Sequence, residues 1–234
     1  HVDVIYYQLT FVKGWSFSQL RSALNRARAL KRVVATASAH ALLQHLALPW
    51  PALEGAFFPS TYRYNAQTTD LDILKKSSSA LTQAVRLNWD ARDPKILYHQ
   101  PYEALIVASL IERESNDPQE YKNISAVIHN RLKSGMPLQI DAAVRYGLNK
   151  SKGRLTYSDL HRKTPYNTYL YRGLPPTPIA MPSAAALEAA MHPADVPWRY
   201  YVLSSKGRHV FSQTFKAHRK AVLRYRQYRN RQHE

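Results

Sequence analysis

The strongest candidate for chemistry in this sequence is a pair of acidic residues that ends an apolar run of helical length. Residues 104–115 read ALIVASLIERES, so Glu112 and Glu114 fall within one turn of a predicted helix. In such a helix Glu114 lies above Leu110 and Ile111, whereas Glu112 lies above smaller side chains. We therefore expect Glu114 to be the carboxyl with the more apolar surroundings.

Apolar surroundings would change the acidity of Glu114. A carboxyl group held against apolar side chains loses hydration of its charged form, so its pKa rises and it can stay protonated near neutral pH. Cleavage of a glycosidic bond requires a general acid of this kind. The same pattern also describes a buried helix whose polar end simply reaches water, and the segment alone leaves both interpretations open.

The sequence after Glu114 indicates how this carboxyl is positioned. The motif DPQE, which begins at Asp117, supplies a helix cap, a proline at the first helical position and an acid at the third. We expect this second helix to run to Lys133, with Gly135 just past its end. A tight corner between the two helices would place Glu114 at a helix terminus beside a cleft.

The rest of the chain predicts an α+β fold, with mixed helices, a small and mainly antiparallel sheet, and a C-terminal β-hairpin followed by a helix. Residues 2–12 are rich in β-branched and aromatic side chains and predict a strand, and residues 56–64 should be extended. Residues 198–203 and 208–212 predict the hairpin. We treat residues 1–234 as one catalytic region, in which residues 1–65 could form a smaller N-terminal lobe.

Helix signals divide the remainder of the sequence. We expect helices from Ser16 or Ser18 to about Ala29, over residues 35–47, and from Thr69 or Asp70 to about Trp89. Residues 136–181 are rich in proline and tyrosine and predict ordered but irregular loops, which often carry substrate-contacting groups.

A series of short motifs lies along the chain in a definite order. They are LEGAFFPSTY (53–62), the acidic pair followed by Ser115, NRLKSGMPLQID (130–141), YNTY (166–169), GLPPTPIAMP (173–182), HPA (192–194) and HVFS (209–212). This ordered set resembles the YceG-like (MltG) family of endolytic murein transglycosylases and extends from about residue 10 to about residue 225. The fold implied is that of a YceG-like catalytic domain.

The resemblance implies a single-glutamate mechanism. Such an enzyme cleaves the β-1,4 bond between N-acetylmuramic acid and N-acetylglucosamine within a glycan strand and leaves 1,6-anhydro-muramyl ends. One glutamic acid protonates the glycosidic oxygen and then, as a carboxylate, removes the proton of the sugar's own C6 hydroxyl. The match of Glu114 to the second acid of the family's Glu-Xaa-Glu-Thr motif implies that Glu114 has this role, and Ser115 retains the hydroxyl of the usual Thr.

Further motif matches imply supporting residues in the cleft. Gln139 and Asp141 match the family's Leu-Gln-Xaa-Asp segment, which implies hydrogen bonds to sugar or to Glu114. Asn130 and Arg131 should brace the loop that follows their helix.

The YNTY and HVFS motifs leave two interpretations open. Tyr166, Asn167 and Thr168 could bind acetamido groups or shape the cleft, or they could only stiffen a loop. His209 could contact the substrate or be structural.

Two residues depart from the pattern of the family. Ser60 stands where the family commonly has Asp, and Ala142 follows Asp141 where a proline is common. Neither change alters Glu114. They weaken the transfer of supporting roles more than the transfer of the activity.

The charge is strongly positive, with 33 Lys and Arg against 16 Asp and Glu and a formal net charge of +17. Nucleic acid is the first candidate partner of such a chain. In the C-terminal helix, however, Ala217, Ala221, Val222, Tyr225 and Tyr228 fall on one stripe, so we expect this stripe to pack while the cations face solvent. Peptidoglycan or an anionic membrane surface explains the charge as well, and we expect no nucleic-acid partner.

The resemblance also implies a cellular setting. Family members carry an N-terminal membrane anchor and a LysM-like module, which we expect to be absent from this chain. The implied location is the extracytoplasmic face of the cytoplasmic membrane, with peptidoglycan strands as substrate and penicillin-binding proteins as partners.

Two other function classes remain as alternatives. A two-carboxylate glycoside hydrolase would use Asp141 with Glu114, because hydrolysis needs a second acid. A non-catalytic basic module would hold glycan or nucleic acid without cutting it. We expect no metal or cofactor, since the sequence has no cysteine, no HEXXH motif and no phosphate-binding glycine cluster.

Overall fold

Helices dominate the computed structural model, which describes residues 4–150 and 153–231. Within these ranges the helices are α1 (Phe17–Arg26), α2 (Ala39–Leu46), α3 (Asp70–Asp90), α4 (Pro101–Glu114), α5 (Tyr121–Lys133), α6 (Asp141–Gly147), α7 (Tyr157–His161), α8 (Ala184–Met191) and α9 (Phe215–Arg231). The strands are β1 (Tyr6–Thr10), β2 (Thr61–Asn65), β3 (Tyr200–Leu203) and β4 (His209–Ser212). The predicted α+β class is confirmed.

The strands form two separate antiparallel pairs, which correspond to the predicted small antiparallel sheet and the predicted C-terminal hairpin. In the first pair β1 lies against β2, with Tyr6 opposite Asn65 and Thr10 opposite Thr61. The predicted strand over residues 2–12 is shorter than expected because Phe11 turns into the core, where it is 2% exposed. Val2 and Asp3, at the start of that prediction, lie outside the described residues.

The second pair is the predicted C-terminal hairpin, which is confirmed. Strand β3 pairs with β4 so that Tyr201 faces Phe211 and Leu203 faces His209. Helix α9 packs on this hairpin. The stripe predicted for α9 is partly wrong, because Ala217 and Tyr228 are exposed, while the middle of the stripe is half-buried.

Two hydrophobic clusters make up the core. The first lies among α1, α2, the start of α3 and the β1–β2 pair, and it also takes in Met181. The second surrounds α4 and draws on α5, α8 and the end of α3. Residues 104–112 of α4 are all buried, as expected for a helix that is apolar on every side. Helix α4 therefore runs through the second cluster and emerges from it at its C-terminal residue, Glu114.

Side-chain caps fix where the first helices begin. Ser16 and Thr69 each form a capping box, so α1 and α3 begin as predicted. Helix α1 ends at Arg26, before the predicted Ala29. Helix α2 begins four residues later than predicted, because Ser38 accepts the Ala41 N–H and caps it there.

The corner between α4 and α5 lies where it was predicted, but α5 begins later than expected. Ser115 is extended, and residues 118–120 form a 3₁₀ turn capped by Asp117, so α5 itself begins at Tyr121. Helix α5 ends at Lys133 as predicted, and Gly135 has a φ of +62°. The corner leaves Glu114 at the terminus of α4, as expected.

Residues 136–181 are more regular than predicted. They contain the short helices α6 and α7 between ordered loops. Helix α6 begins directly after Gln139 adopts a left-handed φ of +54°, which turns the chain. Among the described residues, none of the helices combines the length and the apolar character needed to cross a membrane.

Gly55 is a position where an added side chain should strongly destabilise the fold. Its φ is +71°, and a Cβ would lie 2.4 Å from the Cβ of Pro178. We expect Gly55→Ala to lower the free energy of unfolding by about 3 kcal/mol, through backbone strain and overpacking together. Gly173 is the matched control, because its φ is +85° but no atom lies within 4 Å of its added Cβ. Urea unfolding should give a loss of only about 1 kcal/mol for Gly173→Ala, and equal losses would contradict the account.

Candidate active site

Glu114 lies where the end of α4, the start of α6 and the hairpin meet. Its carboxyl is half-buried, and the Tyr201 hydroxyl of β3 donates to its Oε2 at 2.7 Å. The backbone N–H of Ala142, in the first turn of α6, lies beside this carboxyl and acts to lower its pKa. The site is thus built from three segments that are distant in sequence.

Burial is the main influence on Glu114 and raises the pKa of its carboxyl above the usual value. The hydrogen bond from Tyr201 acts in the opposite sense, the negative charge of Asp141 raises the pKa further, and His209 and the Ala142 N–H lower it. The balance remains upward, which confirms the direction predicted from the sequence. A carboxyl in this environment can hold a proton at a higher pH than an exposed glutamate.

The Ala142 N–H gives a physical meaning to one departure from the family pattern. A proline at this position would have no N–H and could not donate to Glu114. Ala142 therefore retains an N–H beside Glu114, which a chain with proline at this position would lack. Ser60, the other departure, is exposed, and its backbone oxygen accepts from the Phe11 N–H at the end of the β1–β2 pair.

Glu112 differs from the prediction, because it is more deeply buried than Glu114. It is 6% exposed and pairs with Lys13 at 2.9 Å. Its oxygens also accept from the Tyr121 hydroxyl at 2.9 Å, and from the Ser183 N–H at 2.9 Å and hydroxyl. Because its oxygens are occupied by these donors, Glu112 stabilises the core. Glu114 is therefore the carboxyl that faces the site.

The hairpin residue His209 reaches Glu114 through Tyr201. The Tyr201 ring lies edge-on to the His209 ring, with 5.2 Å between centroids. The His209 Nδ1 lies 2.7 Å from Glu120, which also accepts the His209 N–H at 2.6 Å and the Ser115 hydroxyl at 2.7 Å. Burial opposes ionisation of Glu120, but these hydrogen bonds outweigh it and lower its pKa. The hydroxyl that Ser115 shares with the family's Thr thus fixes the hairpin to α4.

Arg131 braces the loop after its helix, as predicted, whereas the Asn130 side chain bonds instead to the segment before the hairpin. Arg131 donates to the backbone oxygens of Pro137, Leu138 and Arg199 at 2.7–3.1 Å. Asn130 donates to two further carbonyl groups just before β3. The Arg131 guanidinium also donates to the Oε1 of Gln139 at 3.1 Å. Gln139, one of the predicted site residues, is exposed.

Asp141 and Tyr169 form a second polar pair beside Glu114. Asp141 is exposed and accepts from the Tyr169 hydroxyl at 2.6 Å. Burial and then the contact with Asp141 raise the pKa of Tyr169, so it remains a donor. The sequence analysis missed Tyr169, although it is the last residue of the YNTY motif that drew attention to its neighbours.

The other three residues of that motif turn inward. Asn167 is fully buried, and its side chain donates to the carbonyl groups of Leu160 and Arg162. Thr168 is 3% exposed and bonds to Ile140 through its hydroxyl. The Tyr166 hydroxyl bonds to Thr177 at 2.8 Å. Because these polar groups already have partners, their placement fits a stiff loop that presents Tyr169, and it leaves Asn167 and Thr168 no free group for a sugar.

The titration of Glu114 offers a direct test of this geometry. Asp141→Asn removes a negative charge and should lower the pKa of Glu114, whereas Tyr201→Phe removes a donor to the carboxylate and should raise it. Carboxyl ¹³C NMR over a pH series would measure both shifts. Shifts of the same sign in the two variants would contradict the arrangement.

The described residues contain no group of three or more His, Asp or Glu side chains arranged to hold a metal ion.

Three kinds of comparison relate the chain to known proteins. A sequence model of the YceG-like family matches residues 2–224. A protein of Bacillus subtilis (strain 168) named endolytic murein transglycosylase is 33% identical over 239 residues, which cover 94% of this chain and 65% of that protein. One of the same name from Streptococcus pneumoniae (strain R6) is 32% identical over 155 residues, or 64% of this chain and 28% of that protein. The chain thus spans less than two-thirds of the length of these relatives.

A solved structure agrees with the fold. The crystal structure of a YceG-like protein from Listeria monocytogenes superposes with a TM-score of 0.74 and 26% sequence identity. The match covers 91% of this chain and 75% of that one.

Proposed function

This chain belongs to the YceG-like family, and from that premise we propose that it is a peptidoglycan lytic transglycosylase that cuts within glycan strands. The observation that carries the proposal is Glu114, a half-buried carboxyl of raised pKa at the meeting point of α4, α6 and the hairpin. Relatives named endolytic murein transglycosylase support the same activity.

The proposed reaction uses one carboxyl group twice. Protonated Glu114 donates its proton to the oxygen between N-acetylmuramic acid and N-acetylglucosamine, and the glycosidic bond breaks to leave positive charge at the muramyl C1. The C6 hydroxyl of the same sugar then attacks C1, and its proton passes to the Glu114 carboxylate. A 1,6-anhydro ring closes, Glu114 is protonated again, and no water is consumed.

The neighbours of Glu114 fit the two halves of this cycle. The Asp141 charge helps to keep the carboxyl protonated before the first step, and it would also stabilise the positive charge that develops on the sugar. The donors Tyr201 and Ala142 would stabilise the carboxylate that acts as base in the second step. We assign Gln139 and Tyr169 to hydrogen bonding with the sugar at the exposed side of the site, and His209 to the positioning of Tyr201.

A two-carboxylate hydrolase is the second candidate, because Asp141 is exposed beside Glu114 and could activate a water molecule. A reaction in ¹⁸O-labelled water separates the two mechanisms. A lytic transglycosylase incorporates no label into the new muramyl end, whereas a hydrolase incorporates one ¹⁸O atom per cut. Asp141→Asn should slow turnover without abolishing it in the first mechanism, because the carboxyl only assists Glu114, and should abolish turnover in the second.

The site of action follows from the substrate. We propose that the chain acts on peptidoglycan at the extracytoplasmic face of the cytoplasmic membrane, beside penicillin-binding proteins that synthesise the strands. The positive charge of +17 suits a substrate that carries carboxylates.

A further inference from the structure

A cavity of about 510 Å³ adjoins the proposed active site. Its lining includes Ala142, which lies beside Glu114, and also Arg145 and Tyr146 of α6. Its opposite wall is the loop at Gly14 and the start of α1, and Arg113 of α4 closes one side. The cavity therefore adjoins the position of the reacting carboxyl through Ala142 and through Arg113, the residue before Glu114 in α4.

Two of the three cations that line this cavity have no carboxylate partner among the described residues. The Arg113 guanidinium donates to the Gly14 carbonyl at 3.1 Å, and the Arg145 guanidinium donates to the Gly153 carbonyl. Among the described residues, neither arginine forms a salt bridge. Lys150, a third cation of the lining, is already paired with Asp159 at 2.6 Å. Two guanidinium groups thus retain donors for an anion.

The one acid of the lining, Glu54, is already engaged. It is half-buried and accepts the Phe17 N–H at 2.9 Å, at the first residue of α1, where a negative charge complements the helix dipole. Burial raises the pKa of Glu54, and the neighbouring Phe17 N–H, Tyr146 hydroxyl and Gly55 N–H act in the opposite sense. Glu54 therefore ties the cavity walls together and does not neutralise Arg113 or Arg145.

On the basis of the proposed function, we propose that this cavity binds a carboxylate of the peptide stems of murein, through Arg113 and Arg145. The stem is attached to the muramic acid residue, the same sugar whose C1 would react beside Glu114. A stem on that sugar can enter a cavity whose lining includes Ala142. Guanidinium groups suit carboxylates because they offer paired N–H donors in one plane. A strand without stems carries only the lactyl carboxylate of each muramic acid residue, whereas a stem adds the carboxylates of its peptide.

Binding to a catalytically inactive protein tests this proposal without relying on turnover. In a Glu114→Gln background, calorimetry would compare short glycan oligomers that carry peptide stems with the same oligomers after amidase has removed the stems. We expect the stem-bearing ligand to bind at least about tenfold more tightly, since hydrogen bonds to charged groups are the stronger class. Raising the salt concentration should reduce this ratio.

Variants test whether the difference in affinity between the two ligands arises in the cavity. Adding Arg113→Gln and Arg145→Gln should bring the affinity ratio to about one. The control adds Arg86→Gln and Arg224→Gln, which change the net charge equally at exposed positions outside the cavity and should preserve the ratio. Arg145→Lys provides a milder variant, which keeps the charge but loses the paired donors and should reduce the ratio in part.

The outcomes separate this proposal from the activity. Equal affinity for both ligands in the Glu114→Gln protein would overturn the stem-binding proposal, and so would a ratio that survives loss of both arginines. If the ratio behaves as expected but wild-type protein forms no anhydro ends, the proposed transglycosylase activity fails while recognition of the carboxylate stands.

Discussion

Glu114→Gln should abolish the cleavage of glycan strands and leave the fold intact. The amide has nearly the shape of the carboxyl but cannot act as acid or base. A positioned acid or base contributes about 10²–10⁴-fold to a rate, and Glu114 would serve in both halves of the cycle. We therefore expect a loss of at least about 10⁴-fold in turnover, measured by release of soluble fragments from purified strands.

The melting temperature of Glu114→Gln should match that of the wild-type protein. The side chain is half-buried at the end of α4, and a glutamine Oε1 can still accept the Tyr201 hydrogen bond. The pH profile gives a second check. Because the free enzyme needs protonated Glu114, kcat/KM should fall as pH rises through the raised pKa of this carboxyl. Residual cleavage near the wild-type rate would contradict the assignment.

Glu112→Ala should have the opposite pattern, with a large loss of stability. The Glu112 side chain is 2% exposed and binds Lys13, Tyr121 and Ser183. Its removal leaves two hydroxyl groups and one N–H without their partner and isolates the Lys13 charge. Breaking a buried ion pair costs about 3–5 kcal/mol. Because Lys13 is 39% exposed and can recover water, we expect about 3 kcal/mol.

Urea unfolding would measure this loss, with Glu114→Gln as the matched control from the same helical turn. Cleavage per folded molecule should survive in Glu112→Ala under conditions where the variant stays folded. A change in the free energy of unfolding below about 1 kcal/mol, the typical effect of a single substitution, would show that the Glu112 network is not the stabilising contact that we describe.

The elements around Glu114 could be predicted because local rules govern them. Ser16 and Thr69 cap α1 and α3, and Gly135 follows the end of α5. Short-range side-chain preferences specify such boundaries without reference to the tertiary fold. The corner that leaves Glu114 at a helix end followed from the same rules.

The relative burial of the two acids could not be predicted in this way. Helical spacing describes only the contacts that a side chain makes with its own helix. Lys13 and Ser183, which enclose Glu112, are 99 and 71 residues away along the chain. The partners of Glu114 likewise come from other segments, and Tyr201 lies 87 residues away. Tertiary contacts of this kind decide which carboxyl is saturated and which remains available.

The YNTY motif illustrates the same limit at the level of single residues. The sequence drew attention to Tyr166, Asn167 and Thr168, but only the structure distinguishes the buried Asn167 from Tyr169, which reaches Asp141. The direction of each side chain depends on how the loop packs against Ile140 and the start of α6. A motif match identifies the loop that contributes to the site, but it does not show which side chain of the loop faces the cleft.

Mass spectrometry of glycan strands after incubation with this chain tests the central claim most directly. We predict internal fragments that end in 1,6-anhydro-muramyl residues with the wild-type protein, and no fragments with Glu114→Gln. Reducing ends would instead indicate a hydrolase. Fragments with anhydro ends from the Glu114→Gln variant would contradict the account, because they would remove this carboxyl from the reaction.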